Sequence, residues 1–307
     1  MEIIQGTTDF QLHTGTAVAL GKFDGIHIGH RRLLAKILEQ KAQGLKACVL
    51  TFQPTPAVFF GLSDGRELTG VSEKRKAFAR MGVDVLIEFP LNARTAAIPP
   101  EEFVREYLTG KLCAKYIAAG EDLSFGRGGA GDAALMRRLG GEIPFTFDVI
   151  EKVRMDGAEV SSSRIRACVE AGRMEEAERL LGAPYGVSGI VIPGHRIGRT
   201  IGFPTVNLCP ESGKLLPPNG VYFSLTHCGR ETFCSISNVG CKPTISDREA
   251  MGVESYLYDF HGNLYGRELE VELLAFHRPE RRFADVEALR AQLEEDIRAG
   301  ERYHAAK

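Results

Sequence analysis

The sequence predicts an α/β domain followed by an antiparallel β-barrel with a closing helix, and three observations carry that expectation. In the first half, apolar strand-like runs alternate with segments of helical period, which implies a parallel sheet with crossover helices on its faces. From about Gly186 the runs become short, alternating and glycine-punctuated, with "PPNG" and "HGN" turns between them, as in an antiparallel barrel. The two patterns meet at "LLGAPYG", where a helix ends in Gly-Ala-Pro, so the expected domains are 1–184 and 185–307.

The elements follow in order. "TAVALG" reads as a buried strand, residues 31 to 43 as a helix ended at Gly44, and "KACVLTF" as a second strand before a proline-rich loop. "SEKRKAFARMG" and "PPEEFVREYLTGKL" have helical period, the second with prolines at its start, beside the strand-like "VDVLIEF" and "AKYIAAG". Helix "AALMRRLGG", strand "FTFDVIEKV" and helix "SSSRIRACVEAG" complete this half. The second half offers "YGVSGIVIPG", "GVYFSLTHCG", "ETFCSISNVG", "GVESYLYDF" and "RELEVELLAFH" as strands. The final helix shows an apolar stripe of Val286, Leu289, Leu293 and Ile297, expected to pack on the barrel.

Composition narrows the partners. With 307 residues, 44% hydrophobic and 25% charged, the chain is an ordinary folding one, long enough for about two domains. A formal charge of −2 gives no global attraction to nucleic acid or to an anionic membrane, so phosphate binding must be local and small anions are the expected ligands. The seven cysteines show no Cys-x-x-Cys and no zinc-type spacing, and are expected to be reduced and mostly buried. "MEIIQGTTDF" has no basic or apolar leader pattern, and no apolar run nears a membrane span, so a cytoplasmic location is expected.

"GKFDGIHIGH", residues 21 to 30, lies where a strand hands over to a helix. In open parallel sheets that junction binds phosphates: glycines admit the backbone, and the helix presents its positive end. Gly21, Gly25 and Gly29 allow close approach, and His27 and His30, three apart, point into one crevice as a neutral-to-cationic donor pair. Downstream, "VSSSRIR" sets Ser161, Ser162 and Ser163 before a helix, with Arg164 and Arg166 close by for phosphate charge. In the second half, "GHRIGRTIGFPTVNL" is a basic glycine-rich loop ending in Pro204, Thr205 and Asn207. Thr205 and Asn207 share a face if extended, and offer the hard oxygens that Mg²⁺ requires. Glu254 in "VESYLYDF" points opposite to Val253 and Ser255, so a carboxylate is available as a base toward an alcohol.

The string G-x-F-D-G-x-H-x-G-H resembles the nucleotidyltransferase superfamily, most closely its FAD synthetase branch, and "VSSSRIR" and "GEDLSFG" are similar to further motifs of that family. The resemblance implies a Rossmann-like domain. It assigns nucleotide contacts to Gly21, Phe23, Asp24, Gly25, Gly29, Asp122, Ser161, Ser162, Ser163, Arg164 and Arg166, with His27 and His30 catalytic. "GFPTVN", "NGVY", "SISNVGCKPT", "VESYLYDF" and "FADVEALRAQLEEDI" occur in the order of riboflavin kinases. That likeness implies nucleotide contacts at Gly198, Arg199, Gly202, Pro204, Thr205 and Asn207, magnesium at Thr205 and Asn207, and Glu254 as the base toward the ribityl 5′-hydroxyl.

Together the motifs resemble the bifunctional riboflavin kinase/FAD synthetase family over nearly the whole chain. That implies ATP as co-substrate, riboflavin, FMN and FAD as substrates and products, Mg²⁺ as cofactor, and no nucleic-acid or membrane partner. Three departures stand out: Thr55 where the family usually has histidine, "LNARTA" without the usual Phe-Ala, and "KPTI" for Arg-Pro-Thr-Phe. Two alternatives stay open on the sequence: a chain with only its kinase half active, and a flavin sensor without turnover.

Overall fold

The computed structural model describes residues 1–193, 202–243 and 249–306. Contacts divide the chain into two compact units, Met1–Ser161 and Ser162–Lys307. Helices Ser162–Glu170 and Met174–Leu181 fall in the second unit, while the change to barrel strands comes at Tyr185.

The first unit is a six-stranded parallel sheet in the order β1-β4-β3-β2-β5-β6. Its strands are β1 (Glu2–Gln5), β2 (Thr16–Leu20), β3 (Lys46–Gln53), β4 (Val85–Pro90), β5 (Ala114–Gly120) and β6 (Thr146–Ile150). β2 is apolar on both faces because both are covered. Val18 and Leu20 enter a core with Leu50, Phe89, Phe103 and Leu108, while Ala17 and Ala19 meet Leu33, Leu34 and Ile37 of helix Ile28–Glu39 and Phe78 of helix Val71–Met81.

Two sequence expectations change here. β1 is an edge strand that no pattern announced, since only Ile4 is half-buried and no alternation results. The segment after Pro100–Glu102 forms a π-helix, Phe103–Lys111, in which the Thr109 hydroxyl donates to the carbonyls of Val104 at 3.1 Å and Arg105 at 3.0 Å. A two-stranded ribbon, β7 (Arg154–Met155) and β8 (Ala158–Glu159), follows the sheet.

The second unit holds a closed antiparallel barrel in the order β10-β13-β12-β11-β14-β9. Its strands are β9 (Tyr185–Ile192), β10 (Thr205–Pro210), β11 (Gly220–Cys228), β12 (Glu231–Pro243), β13 (Glu249–Leu257) and β14 (Glu268–Pro279). The interior carries a buried hydroxyl chain: Ser224 bonds Ser235 at 2.8 Å and Ser237 at 2.7 Å, and Ser237 bonds Ser255 at 2.6 Å. Ser224 and Ser237 each make two such bonds, so each can donate one and accept the other.

The closing helix, Val286–Ala305, buries a polar line beside its apolar stripe. Its buried line is Gln292, Asp296 and Gly300, with Leu289, Leu293 and Ile297 half-buried and Val286 exposed. Arg278 explains the choice, since its guanidinium grips Asp296 with two bonds, 2.8 Å and 2.5 Å, and Gln292 donates to the same carboxylate at 2.8 Å. Tyr258 completes the seam by donating to the Ile297 carbonyl at 2.7 Å. Of the described cysteines, Cys48, Cys168 and Cys228 are buried, Cys113 is half-buried, and Cys209 and Cys234 are exposed; all six are free. Among the described residues no helix is long and apolar enough to cross a membrane.

Candidate active sites

Topology places the first site. From β2 the chain proceeds outward through β3 to β4 on one side, and β5 and β6 lie on the other, so the strand order reverses between β2 and β5. Open parallel sheets bind ligands at the carboxyl ends of such strands. "GKFDGIHIGH" leaves β2 there, and Asp122 follows β5, close enough for its exposed carboxylate to act on His27.

The turn is strained. Phe23 has φ 52° and Ile26 φ 41°, left-handed values costing a side-chain-bearing residue roughly 1–3 kcal/mol each, while Gly25 takes φ 86° freely. Burial holds the strain in place. Phe23 is fully buried with its ring edge-on to Phe78 at 5.4 Å, and Ile26 is buried beside it. The Phe23 side chain is therefore core. Asp24 is likewise a clamp: its Oδ1 accepts the backbone N–H groups of Leu68 at 2.7 Å and Thr69 at 3.3 Å, just ahead of helix Val71–Met81. A Cβ on Gly21 or Gly29 would stand 3.0 Å from the Phe23 ring or 3.1 Å from the His27 ring.

His27 is the N-cap of helix Ile28–Glu39. Its Nδ1 accepts from the His30 backbone N–H at 3.3 Å, so in the neutral ring the proton sits on Nε2 as a donor. The His30 ring stacks on it at 3.8 Å between centroids and leans on Phe23 at 5.1 Å. Burial holds His27 down at about 4, with Asp122 pulling the other way, and it holds His30 well below its ordinary value with help from His27 and Lys74. The pair is thus neutral near pH 7 rather than neutral-to-cationic.

These shifts have a consequence for stability. Between pH 6.5 and about 4 the unfolded chain binds the His27 proton and the folded chain does not, so stability is full above 6.5 and falls as pH drops toward 4. The expected loss at His27 is about 3 kcal/mol. Melting of the protein across that window should show it, and His27→Asn, which keeps a capping side chain, should flatten the slope.

Lys74 is a residue the sequence reading missed. The helical period of "SEKRKAFARMG" does not single it out, yet the Lys74 side chain is 6% exposed and ion-paired with Glu67 at 2.9 Å, and its charge reaches His30. The Asp24 clamp, the Phe23–Phe78 contact and the Arg75–Glu88 pair, all long-range, fix the helix that carries it. Glu67 takes one of the three donors of this buried ammonium.

Two of the departures from the family pattern lie in the first unit, and Thr244 and Ile245 of the third, "KPTI", lie outside the described residues. Thr55 is buried ahead of helix Pro56–Phe59. In "LNARTA", Asn92 Oδ1 accepts from the N–H groups of Arg94 at 3.0 Å and Thr95 at 3.1 Å, while the Thr95 hydroxyl donates to the Pro90 carbonyl at 2.7 Å.

The second site lies on the outer wall of the barrel. Asn207 of β10 stands opposite Glu254 of β13, and Glu254 opposite Asn238 of β12, so three side chains form a row across three strands. Val253, Ser255, Ser237 and Val239 point inward and are buried. Thr205 shares the outer face and donates from Oγ1 to Glu254 Oε1 at 2.6 Å. Gly202 and Pro204 are exposed on the approach to β10, and Gly198 and Arg199 lie outside the described residues.

Among the described residues no three His, Cys, Asp or Glu side chains converge as a metal cage. The donor set of Thr205, Asn207 and Glu254 is all oxygen, which suits a magnesium ion carried by nucleotide phosphates rather than one caged by protein. Ser162, Ser163, Arg164 and Arg166 lie on helix Ser162–Glu170 of the second unit, with Arg164 3.6 Å from Glu176, and Ser161 ends the first unit.

One site sets two neutral imidazoles and a buried ammonium at a helix N-terminus, and the other sets hydroxyl and amide groups beside a carboxylate; enzymes that transfer phosphoryl or nucleotidyl groups use such groups. Comparison with known proteins narrows the class. A family model described as FAD synthetase matches residues 9–164, and one described as riboflavin kinase matches 181–304. The chain is 36% identical over 295 residues to the bifunctional riboflavin kinase/FMN adenylyltransferase of Listeria monocytogenes, covering 94% of this chain and 93% of the relative. The Escherichia coli K12 protein of the same name is 33% identical over 301 residues, covering 96% of each. A solved structure from Streptococcus pneumoniae, described as a macrolide-efflux protein, is similar with a TM-score of 0.85 at 28% identity, over 97% of this chain and 98% of that one. The chain belongs to the bifunctional riboflavin kinase/FMN adenylyltransferase family.

Proposed function

We propose that the chain makes FAD from riboflavin in two steps at two sites, 185–307 acting as riboflavin kinase and 1–184 as FMN adenylyltransferase. The observation that carries the reading is the presence in one chain of a histidine turn at a sheet switch point and a Thr205–Glu254 contact on a barrel wall.

In the kinase step Glu254 is the base. Its Oε1 is held by the Thr205 hydroxyl, and its carboxylate takes the proton of the ribityl 5′-hydroxyl as the oxygen attacks the γ-phosphorus of ATP, giving FMN and ADP. Thr205 and Asn207 would hold Mg²⁺ with the phosphates, and the ion supplies charge neutralisation there. Gly198, Arg199, Gly202 and Pro204 are assigned to the nucleotide from the family motif.

In the adenylylation an FMN phosphate oxygen attacks the α-phosphorus of a second ATP, and pyrophosphate leaves. His27 Nε2–H, His30, the N-terminus of helix Ile28–Glu39 and the Lys74 ammonium supply donors to the charge that develops. Gly21, Gly25 and Gly29 admit the phosphates. For Asp122, Ser161, Ser162, Ser163, Arg164 and Arg166 the assignment rests on the family motif. No covalent intermediate is needed, so alignment does the work. A cytoplasmic location belongs to the same proposal, since both steps consume ATP.

The test is direct. The full chain with riboflavin, ATP and Mg²⁺ is expected to yield FMN, then FAD and pyrophosphate, resolved by chromatography; FMN without FAD would leave only the kinase. Thr205→Ala and Asn207→Ala should raise the Mg²⁺ concentration at half-maximal kinase rate several-fold, and an unchanged titration would remove both as metal ligands.

A further inference from the structure

We infer that Asn238 is a substrate-positioning residue of the kinase site, its amide oxygen accepting a hydrogen bond from a secondary hydroxyl of the flavin's polyol chain. The inference rests on the kinase reading above and assigns a residue which that reading does not use.

Three observations converge on it. Asn238 lies directly across from Glu254 in the β12–β13 register, and Glu254 directly across from Asn207. Directly opposed residues set their Cβ atoms about 4.5–5.5 Å apart on one face, so Asn238 flanks the base on the side away from Asn207.

The orientation of its amide is determined. Asn238 Nδ2 donates to Glu280 Oε1 at 3.0 Å, and Asn219 Nδ2 donates to Glu280 Oε2 at 3.3 Å. An ionised carboxylate only accepts, so the nitrogen must face Glu280 and the oxygen must face the other way. Gly240 is part of the same arrangement, because a Cβ there would collide with the Glu280 carboxylate.

The freed oxygen has nothing to accept. Asn238 Oδ1 is buried and has no hydrogen-bond partner among the described residues. A buried acceptor without a partner costs free energy comparable to a lost hydrogen bond, which a donor in the bound substrate relieves. The phosphoryl acceptor carries hydroxyl donors along its chain, next to the one that Glu254 deprotonates. The part of ATP that reaches Glu254 in the reaction is its phosphates, which bring only acceptors, so the flavin chain is the matching ligand at the residue directly across from that base.

The test is steady-state kinetics of Asn238→Ala with riboflavin and with its 2′-, 3′- and 4′-deoxy analogues. The KM for riboflavin is expected to rise roughly 3- to 10-fold, with the KM for ATP and the rate of FAD formation from FMN unchanged. For one deoxy analogue, the one lacking the bonded hydroxyl, the variant and the wild type should have the same KM. An equal penalty on riboflavin and all three analogues, or a shift in ATP rather than riboflavin KM, overturns the inference. Glu280→Ala provides a second reading, since it removes both acceptor oxygens and releases the amide without altering the base. It should raise the riboflavin KM about 2- to 3-fold, and an unchanged KM would also overturn the inference. A wild-type chain inert toward riboflavin would sink the kinase reading itself, a result distinct from any change confined to the variants.

Discussion

Glu254→Gln is expected to slow FMN formation about 10²–10⁴-fold, the usual contribution of a positioned general base. A primary alcohol is a poor nucleophile, and the substitution removes the group that takes its proton while keeping size and a hydrogen-bonding oxygen. The Thr205 hydroxyl, 2.6 Å from Oε1, retains an amide oxygen to donate to, so the wall of the barrel should keep its shape. The loss therefore belongs in kcat, with ATP affinity nearly unchanged; calorimetry showing ATP binding lost instead would make Glu254 a binding residue. FAD formation from supplied FMN should continue at the wild-type rate.

The converse holds for His30→Ala, which is expected to lower FAD formation from FMN about 10²–10³-fold, the range seen when one preorganised donor to a developing charge is lost. His30 stacks on His27 and lies within the field of Lys74, so the ring contributes a donor and also fixes its partner. The Nδ1 of His30 is buried with no partner among the described residues, as expected of a group that meets its partner in a bound nucleotide. His30→Asn separates the two contributions, because it keeps a donor but not the stack. FMN formation from riboflavin should be unaffected by either change, and equal loss of both activities in a folded protein would contradict separate sites.

How far the sequence reached depends on the range of the interactions involved. The turn between Leu20 and Ile28 was legible because glycines, a strand end and a helix start are local signals. The common face of Thr205 and Asn207, and the opposition of Glu254 to Ser255, follow from the two-residue period of a strand. Other features were set by partners far along the chain. Nothing local marks Lys74 as buried; Asp24 and Phe23, far along the chain, pin its helix. Asn238 reads as one polar residue in a strand until the register sets it beside Glu254. The closing helix buries Gln292 and Asp296 in preference to Val286 because Arg278, outside the helix, offers a two-bond grip that no apolar stripe discloses. Phe23 and Asp24, which the motif assigns to nucleotide, also hold the turn in its strained shape, a role that shows only once Phe78 and Leu68 are in place.

The central claim is that one polypeptide carries two catalytic centres that work without each other. The most direct measurement mixes equal amounts of the His30→Ala and Glu254→Gln chains with riboflavin, ATP and Mg²⁺ and follows FAD. Neither chain alone should convert riboflavin to FAD appreciably, the first stopping at FMN and the second failing to start, whereas the mixture should restore synthesis through free FMN. A mixture as inactive as its components, while each folded chain keeps its remaining half-reaction, would contradict the account.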